Sequence, residues 1–261
     1  MYSHDGKGFV DEICQKALEE KILGFCVTDH CDCEYSHNLS IPKNLSLCFE
    51  QAKECEKIYK DRLIVTCGVE IGEAIFDPLF ADKIINSHKW DAVLGSVHAV
   101  RINNLDMPFS TIDFSDFSDE LLDTYIGQYF EDMKEMLETQ DFDILSHLTV
   151  VLRYIIYKYK RQVDITKYYP AVTQILKKTI SLNKCLEINT SGCCDGYLMP
   201  DCDILAIYKK LGGKSICIGS DAHTPEALTS GLTDGIDAAR KLGFDTLTYF
   251  KNRKPVEYRI P

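Results

Sequence analysis

Imidazole and carboxylate side chains recur in this chain where short apolar runs stop. Gly24-Phe-Cys-Val-Thr-Asp29-His30, Leu63-Ile-Val-Thr-Cys-Gly-Val69-Glu70, Ala92-Val-Leu-Gly-Ser-Val-His98, Phe142-Asp-Ile-Leu-Ser-His147 and Ser215-Ile-Cys-Ile-Gly-Ser-Asp221-Ala-His223 all end on metal-binding types. A sixth run, Lys184-Cys-Leu-Glu-Ile-Asn189-Thr-Ser191, ends on small polar groups. Mixed nitrogen and oxygen donors suit zinc, manganese or ferrous iron better than calcium or magnesium. A carboxylate such as Glu70 can bridge two ions, and Asp221 and His223, two residues apart, can reach one shared pocket. Neighbouring cations would stabilise charge on a phosphoryl group and lower the pKa of a bridging water. No Ser-His-Asp order, G-x-S-x-G elbow or Walker-type loop competes with that chemistry. Glu70, His98 and Asp221 are therefore the expected catalytic residues.

Each of these residues has a plain structural alternative. His98 or His147 alone reads as a hydrogen-bonded core histidine, and Asp221 alone as a cap on the helix after Pro225. Those alternatives would all have to hold together at corresponding ends of separate strands, so the shared metal site is the stronger reading. His37 and His88 fall in loop or helix-end contexts and read as surface residues. Arg153, just past His147 in an otherwise apolar stretch, is placed to clamp a phosphate, with a packed arginine on the rim as the alternative.

Helical patterns separate the strand runs and must position these side chains. Phe9 to Ile22, Leu45 to Lys60, Pro78 to Ser87, Asp119 to Glu138, Tyr168 to Leu182, Asp203 to Leu211 and Asp234 to Leu242 carry apolar residues at helical spacing. Strand, helix, strand with short joins predicts parallel strands linked by right-handed crossovers. In barrels built this way the chemistry gathers at the carboxyl ends of the strands. Two longer connections, around Val100 to Ser118 and Val150 to Lys167, are the expected substrate-facing loops.

The 261 residues suit one barrel-sized domain, and 45% hydrophobic with 26% charged residues is ordinary globular composition. A net charge of −11, from 40 acids against 29 bases, supplies no basic stripe for nucleic acid and no polybasic handle for a membrane. Twelve cysteines scatter through strands and helices as small apolar filler, which suits a reducing compartment. Cys31-x-Cys33 and Cys193-Cys194 lack the second pair of a structural zinc site. Without a leader-like start or a spanning apolar run, the expected location is the cytoplasm.

Read together, Thr28-Asp29-His30, Gly68-Val69-Glu70, Gly95-Ser96-Val97-His98, Ser146-His147-Leu148, Glu187-Ile188-Asn189-Thr190-Ser191 and Gly219-Ser220-Asp221-Ala222-His223 resemble the polymerase and histidinol phosphatase (PHP) family. Each piece alone is weak, but the order and spacing are specific. The segment at Asn189 and the closing run from Lys241 to Pro255 are most similar to the histidinol-phosphatase branch. The resemblance implies an α/β fold, a distorted (β/α)7 TIM-like barrel forming a single domain over 1–261. It also implies hydrolysis of L-histidinol phosphate to L-histidinol and phosphate, a late step of histidine biosynthesis. The expected partner is a small phosphorylated substrate, contacted by Arg153 and Asn189; the oligomeric state is left open. The same barrel acting on another small phosphoester is the alternative.

The resemblance further implies up to three divalent ions, zinc, manganese or iron. Glu70, His98 and His147 would hold one, with Glu70 bridging. Asp5, His30 and His223 would hold a second, and Asp221 would serve the third. In the family the third ion is also held by an H-x-H pair on the first strand, and that pair is missing here, so fewer than three ions are expected. Tyr2, Ser3, Asp5 and Gly6 align with the tail of that first motif, which puts Met1 inside it. The first strand therefore reads as missing or truncated. The expectation is a chain whose true start lies earlier, with a genuine, catalytically weak short form as the alternative.

Overall fold

The computed structural model describes residues 6–33 and 40–260. Val10–Glu19 (α1) leads into two short strands, Gly24–Val27 (β1) and His30–Asp32 (β2). Alternation follows: Lys43–Tyr59 (α2), Ile64–Gly72 (β3), Pro78–Ile85 (α3), Ala92–Ser96 (β4), Asp119–Thr139 (α4) and Ile144–Leu145 (β5). Val150–Leu152 (α5) runs into a π-helical turn, Arg153–Lys158. Tyr169–Ser181 (α6), Cys185–Asn189 (β6), Cys202–Lys210 (α7), Ile216–Gly219 (β7) and Leu232–Lys241 (α8) complete the series. All six apolar runs form strands, and all seven helical patterns form helices within a few residues of the expected bounds.

Local chemistry sets several helix starts. Ser118 and Asp201 accept hydrogen bonds from the N–H groups of Leu121 and Ile204. Asp77 caps α3, with Pro78 in the first turn where no N–H is needed. The longest helix, α4, buries Leu122, Tyr125, Ile126, Tyr129, Phe130, Met133 and Leu137, a broad 3–4 spaced stripe that packs on the sheet and on α6. Asp132 is buried on that stripe because Arg101 reaches it with both its backbone N–H and its guanidinium.

β1 and β2 both pair with β3, along its first and second halves. From β3 the parallel sheet continues through β4, β5 and β6 to β7. The expected TIM-like barrel is thus present as a curled sheet whose end strands, β1 and β7, do not pair with each other. A cavity of about 730 Å³ lies between them, lined by Phe25, Cys26 and Val27 on one lip and Cys217, Ile218 and Gly219 on the other. Its floor is apolar. Phe250 packs there against Ala92, Leu94, Ile144 and Cys185.

Phe250 belongs to Thr246–Lys251 (β8), which pairs antiparallel with Lys254–Arg259 (β9) as a separate hairpin. The buried carboxylate of Asp91 ties this hairpin to the sheet. It accepts from Lys53 Nζ of α2 at 2.8 Å and from the N–H groups of Cys67 and Asn252.

The two long connections, around Val100 to Ser118 and Val150 to Lys167, are tied together in the structure. They pack on each other: the Arg161 guanidinium binds the carbonyls of Phe114, Ser115 and Phe117 together with Asp119. His88 is half-buried rather than a surface residue. Its ring sits against Phe49 and Trp90, because the apolar face of α2 extends under that turn. His37 lies outside the described residues. No disulfide joins any of the twelve cysteines, and no described helix is long and apolar enough to cross a membrane.

Candidate metal centre

The parallel register places the first candidate ligands. His30 of β2 stands beside Glu70 of β3, and Asp32 stands beside Gly72. Alternation along a strand puts His30 and Asp32 on one face, as it does Glu70 and Gly72. Glycine at 72 makes room for its neighbour: a Cβ there would lie 2.2 Å from Asp32 Oδ1 and 3.1 Å from His98 Nδ1. His98 follows β4 and His147 follows β5, each two residues past its strand.

These side chains converge. Glu70 Oε1 lies 3.0 Å from His147 Nε2 and 3.3 Å from His98 Nε2, and the two imidazole nitrogens are 3.4 Å apart. On its other edge, His98 Nδ1 is 3.2 Å from Asp32 Oδ1, which is also 3.3 Å from His30 Nδ1. Two groups of ligand atoms result, Glu70–His98–His147 and His30–Asp32–His98, each within 4.8 Å, and His98 is common to both.

Electrostatics follow from burial and contact. Burial alone would raise the Glu70 carboxyl, but His147 and His98 outweigh it and hold the group well below its ordinary value. Burial would likewise lower His98, yet Asp32 and Glu70 raise it well above the usual imidazole range. His30 rises to about 9, burial being outweighed chiefly by Asp32. Anionic carboxylates packed among imidazoles are a donor set that a divalent cation fits, because the ion supplies the positive charge that protons otherwise must.

Carboxylates that no strand-end pattern reveals hold the loops carrying these ligands. Glu73 is buried and accepts from the N–H groups of His98 and Ala99. Glu187 Oε2 accepts from the N–H of His147 at 2.8 Å, and burial pushes its carboxyl up to about 7. Glu73, His147 and Asp221 have positive φ values of 48°, 20° and 50°. Left-handed backbone at the loops following β3, β5 and β7 is costly for residues with a Cβ and is tolerated where neighbours fix it.

Asp221 and His223, past β7, line the same cavity mouth as His30, Glu70 and His147. Neither joins the two tight groups. His223 Nδ1 is 2.8 Å from the carbonyl of Asp221, and its side chain is 44% exposed. Ser191 Oγ donates to Asn189 Oδ1 at 2.8 Å, with Asp221 Oδ2 as an alternative acceptor at 3.3 Å, and Arg153 reaches the same hydroxyl at 3.3 Å. The amide of Asn189 is turned inward, its Nδ2 toward Glu187. Arg153 thus stands beside Ser191, which contacts Asn189 and Asp221 of the cavity lining. Asp5 lies outside the described residues.

The expected ion ligated by Glu70, His98 and His147 corresponds to one observed group. Of the expected partners of His30, Asp5 lies outside the described residues and His223 lies outside the two tight groups; the short strand β2 brings Asp32 beside His30. Asp32 was missed: two residues past a strand-end His it reads as a loop acid, and only the i, i+2 alternation with His30 points to it.

The family model for the PHP domain matches residues 1–191. The chain is 27% identical over 258 residues to a protein of Clostridium acetobutylicum named probable histidinol-phosphatase, spanning 96% of this chain and 94% of that protein. It is 26% identical over 255 residues to the histidinol-phosphatase of Lactococcus lactis, spanning 97% and 92%. A crystal structure of the Lactococcus lactis histidinol phosphate phosphatase, complexed with zinc, L-histidinol and phosphate, superposes with a TM-score of 0.79. It covers 98% of this chain and 95% of that one at 23% identity. On the family match, extending over most of its length, this chain belongs to the PHP domain family.

Proposed function

We propose that this protein is a metal-dependent phosphomonoesterase that hydrolyses L-histidinol phosphate to L-histidinol and phosphate, working as one α/β-barrel domain over residues 1–261. The observation that carries this reading is the convergence of Glu70, His98 and His147 at strand ends, where Glu70 and His147 line one cavity mouth with Asp221, to which Arg153 is linked through Ser191. Relatives over nearly the whole chain are named for that activity, and one was crystallised with zinc and both products.

Glu70, His98 and His147 would hold one divalent ion, and His30, Asp221 and His223 would contribute to others around the same mouth. Bound there, divalent ions lower the pKa of a water and neutralise charge on a phosphoryl group. Arg153 binds a phosphate oxygen through its guanidinium, and Ser191, held by Asn189 and Asp221, fixes the side of the pocket against which the phosphate lies. The P–O ester bond breaks, a water oxygen joins phosphorus, and a proton from that water ends on the departing oxygen, giving phosphate and histidinol. The chain's acidic balance suits the cationic amine of that product.

Phosphate release from L-histidinol phosphate, compared with a sugar phosphate, a nucleotide and phosphotyrosine, tests the assignment. The expected result is metal-dependent turnover fastest on histidinol phosphate, reduced at least about 100-fold by His98→Ala or Asp221→Ala. Faster turnover of another phosphoester would move the assignment to that substrate. Absence of turnover on all four, with ions bound, would leave a metal-binding barrel without this activity.

A further inference from the structure

We propose that Asp32 is a positioning residue for two metal ligands at once, holding the Nδ1 edges of His30 and His98 so that both rings present Nε2 to the ions. The inference rests on the reading of His30 and His98 as ligands. Asp32 Oδ1 lies 3.3 Å from His30 Nδ1 and 3.2 Å from His98 Nδ1, within reach of an N–H donor on each ring. The carboxylate is nearly enclosed, with its side chain 12% exposed.

Asp32 as a third ligand is the competing role for the same geometry. If His30, Asp32 and His98 shared one ion, His98 would give Nδ1 to it while Nε2, 3.3 Å from Glu70 and 3.4 Å from His147, faces another. A neutral imidazole has one acceptor nitrogen and one N–H, so bridging two ions demands a fully deprotonated ring. With Nδ1–H donated to Asp32, the ring remains neutral and Nε2 is the ligand, the arrangement in which a carboxylate behind a histidine fixes its tautomer and orientation.

His147 provides the contrast. Its Nδ1 is buried without a hydrogen-bond partner, and its place is set by the backbone contact to Glu187. Gly72 belongs to the same device, since any side chain there would displace the Asp32 oxygen.

Chelator competition with zinc, alongside nitrogen-15 NMR of the histidine rings, tests the proposal without reference to substrate. Asp32→Ala should weaken zinc binding by about 10- to 100-fold, the loss typical when such a partner is removed. The number of ions bound at saturation should remain that of the parent protein. Asp32→Asn, which keeps an acceptor oxygen, should recover part of the affinity, and Gly72→Ala should behave like Asp32→Ala. In the zinc-loaded parent, His30 and His98 should appear as Nδ1–H, Nε2-bound rings. Loss of one ion at saturation in both Asp32 variants would make Asp32 a ligand and overturn the proposal. Unchanged affinity, or Nδ1-bound rings in the parent, would overturn it as well. Circular dichroism of the metal-free variants separates these outcomes from unfolding, and a failed phosphatase assay would leave them untouched.

Discussion

The Nε2 atoms of His98 and His147 stand 3.4 Å apart over a single carboxylate oxygen of Glu70. Two protonated rings at that distance repel, yet Asp32 and Glu70 raise His98, and Glu70 raises His147, above the ordinary imidazole value against the effect of burial. Metal uptake near neutral pH must therefore expel protons. Zinc titration in buffers of differing ionisation enthalpy should show on the order of one proton released per ion at pH 7, with affinity falling as pH is lowered. Uptake without proton release would place the ion elsewhere.

The fold and part of the site are legible in the sequence for different physical reasons. Buried parallel strands such as β3 and β4 read as near-continuous apolar runs, and α4 carries a helical stripe that nothing else would produce. Strand-end ligands then follow from the topology. The remainder depends on contacts that no local pattern encodes. The three residues of β2 are too short to signal a strand, and Glu73 and Glu187 act on backbone N–H groups 25 and 40 residues away. The β8 run is visible as apolar, but its β9 partner is largely exposed and carries no alternation that would reveal a hairpin.

Arg153 reaches Ser191 and no carboxylate within ion-pair distance among the described residues, an arrangement suited to an incoming anion. Arg153→Ala should lower kcat/KM by roughly 10- to 100-fold and weaken inhibition by inorganic phosphate in parallel. Arg153→Lys should restore only part, since a point charge replaces a planar fork. Steady-state kinetics with phosphate as inhibitor reads both effects, and unchanged phosphate inhibition would assign Arg153 to packing.

Asp91 is a stability hinge with a defined pH window. Burial would raise its carboxyl, but Lys53 and the N–H groups of Cys67 and Asn252 hold it below the ordinary value of 3.8. A depressed folded-state pKa contributes stability above the unfolded value, and that contribution is lost as pH falls through the folded one. Asp91→Asn should destabilise the protein by about 1–3 kcal/mol at pH 7. The gap to the parent should close below about pH 4. Urea unfolding across that range measures it, and a pH-independent gap would refute the assignment.

Glu187 has the opposite sign. Its carboxyl, raised from 4.5 to about 7 by burial, binds more protons folded than unfolded, so stability declines as pH rises through that interval. In metal-stripped protein, Glu187→Gln should match the parent near pH 4 and exceed it above pH 7, by at most on the order of 3 kcal/mol. Thermal melts at the two pH values provide the comparison. Equal melting temperatures at pH 8 would show that the carboxyl is not strained by its surroundings.

The gap between β1 and β7 makes the sheet a spring clip rather than a hoop. A closed barrel fixes its own radius through the last pair of strands, whereas the width of this sheet is set by the twist summed across five strand pairings. The proposed ligands divide between the two arms, with His30 and Glu70 on one and Asp221 and His223 on the other. Ions held jointly by both arms would act as the clasp, setting the width of the catalytic mouth and the curvature of the sheet together.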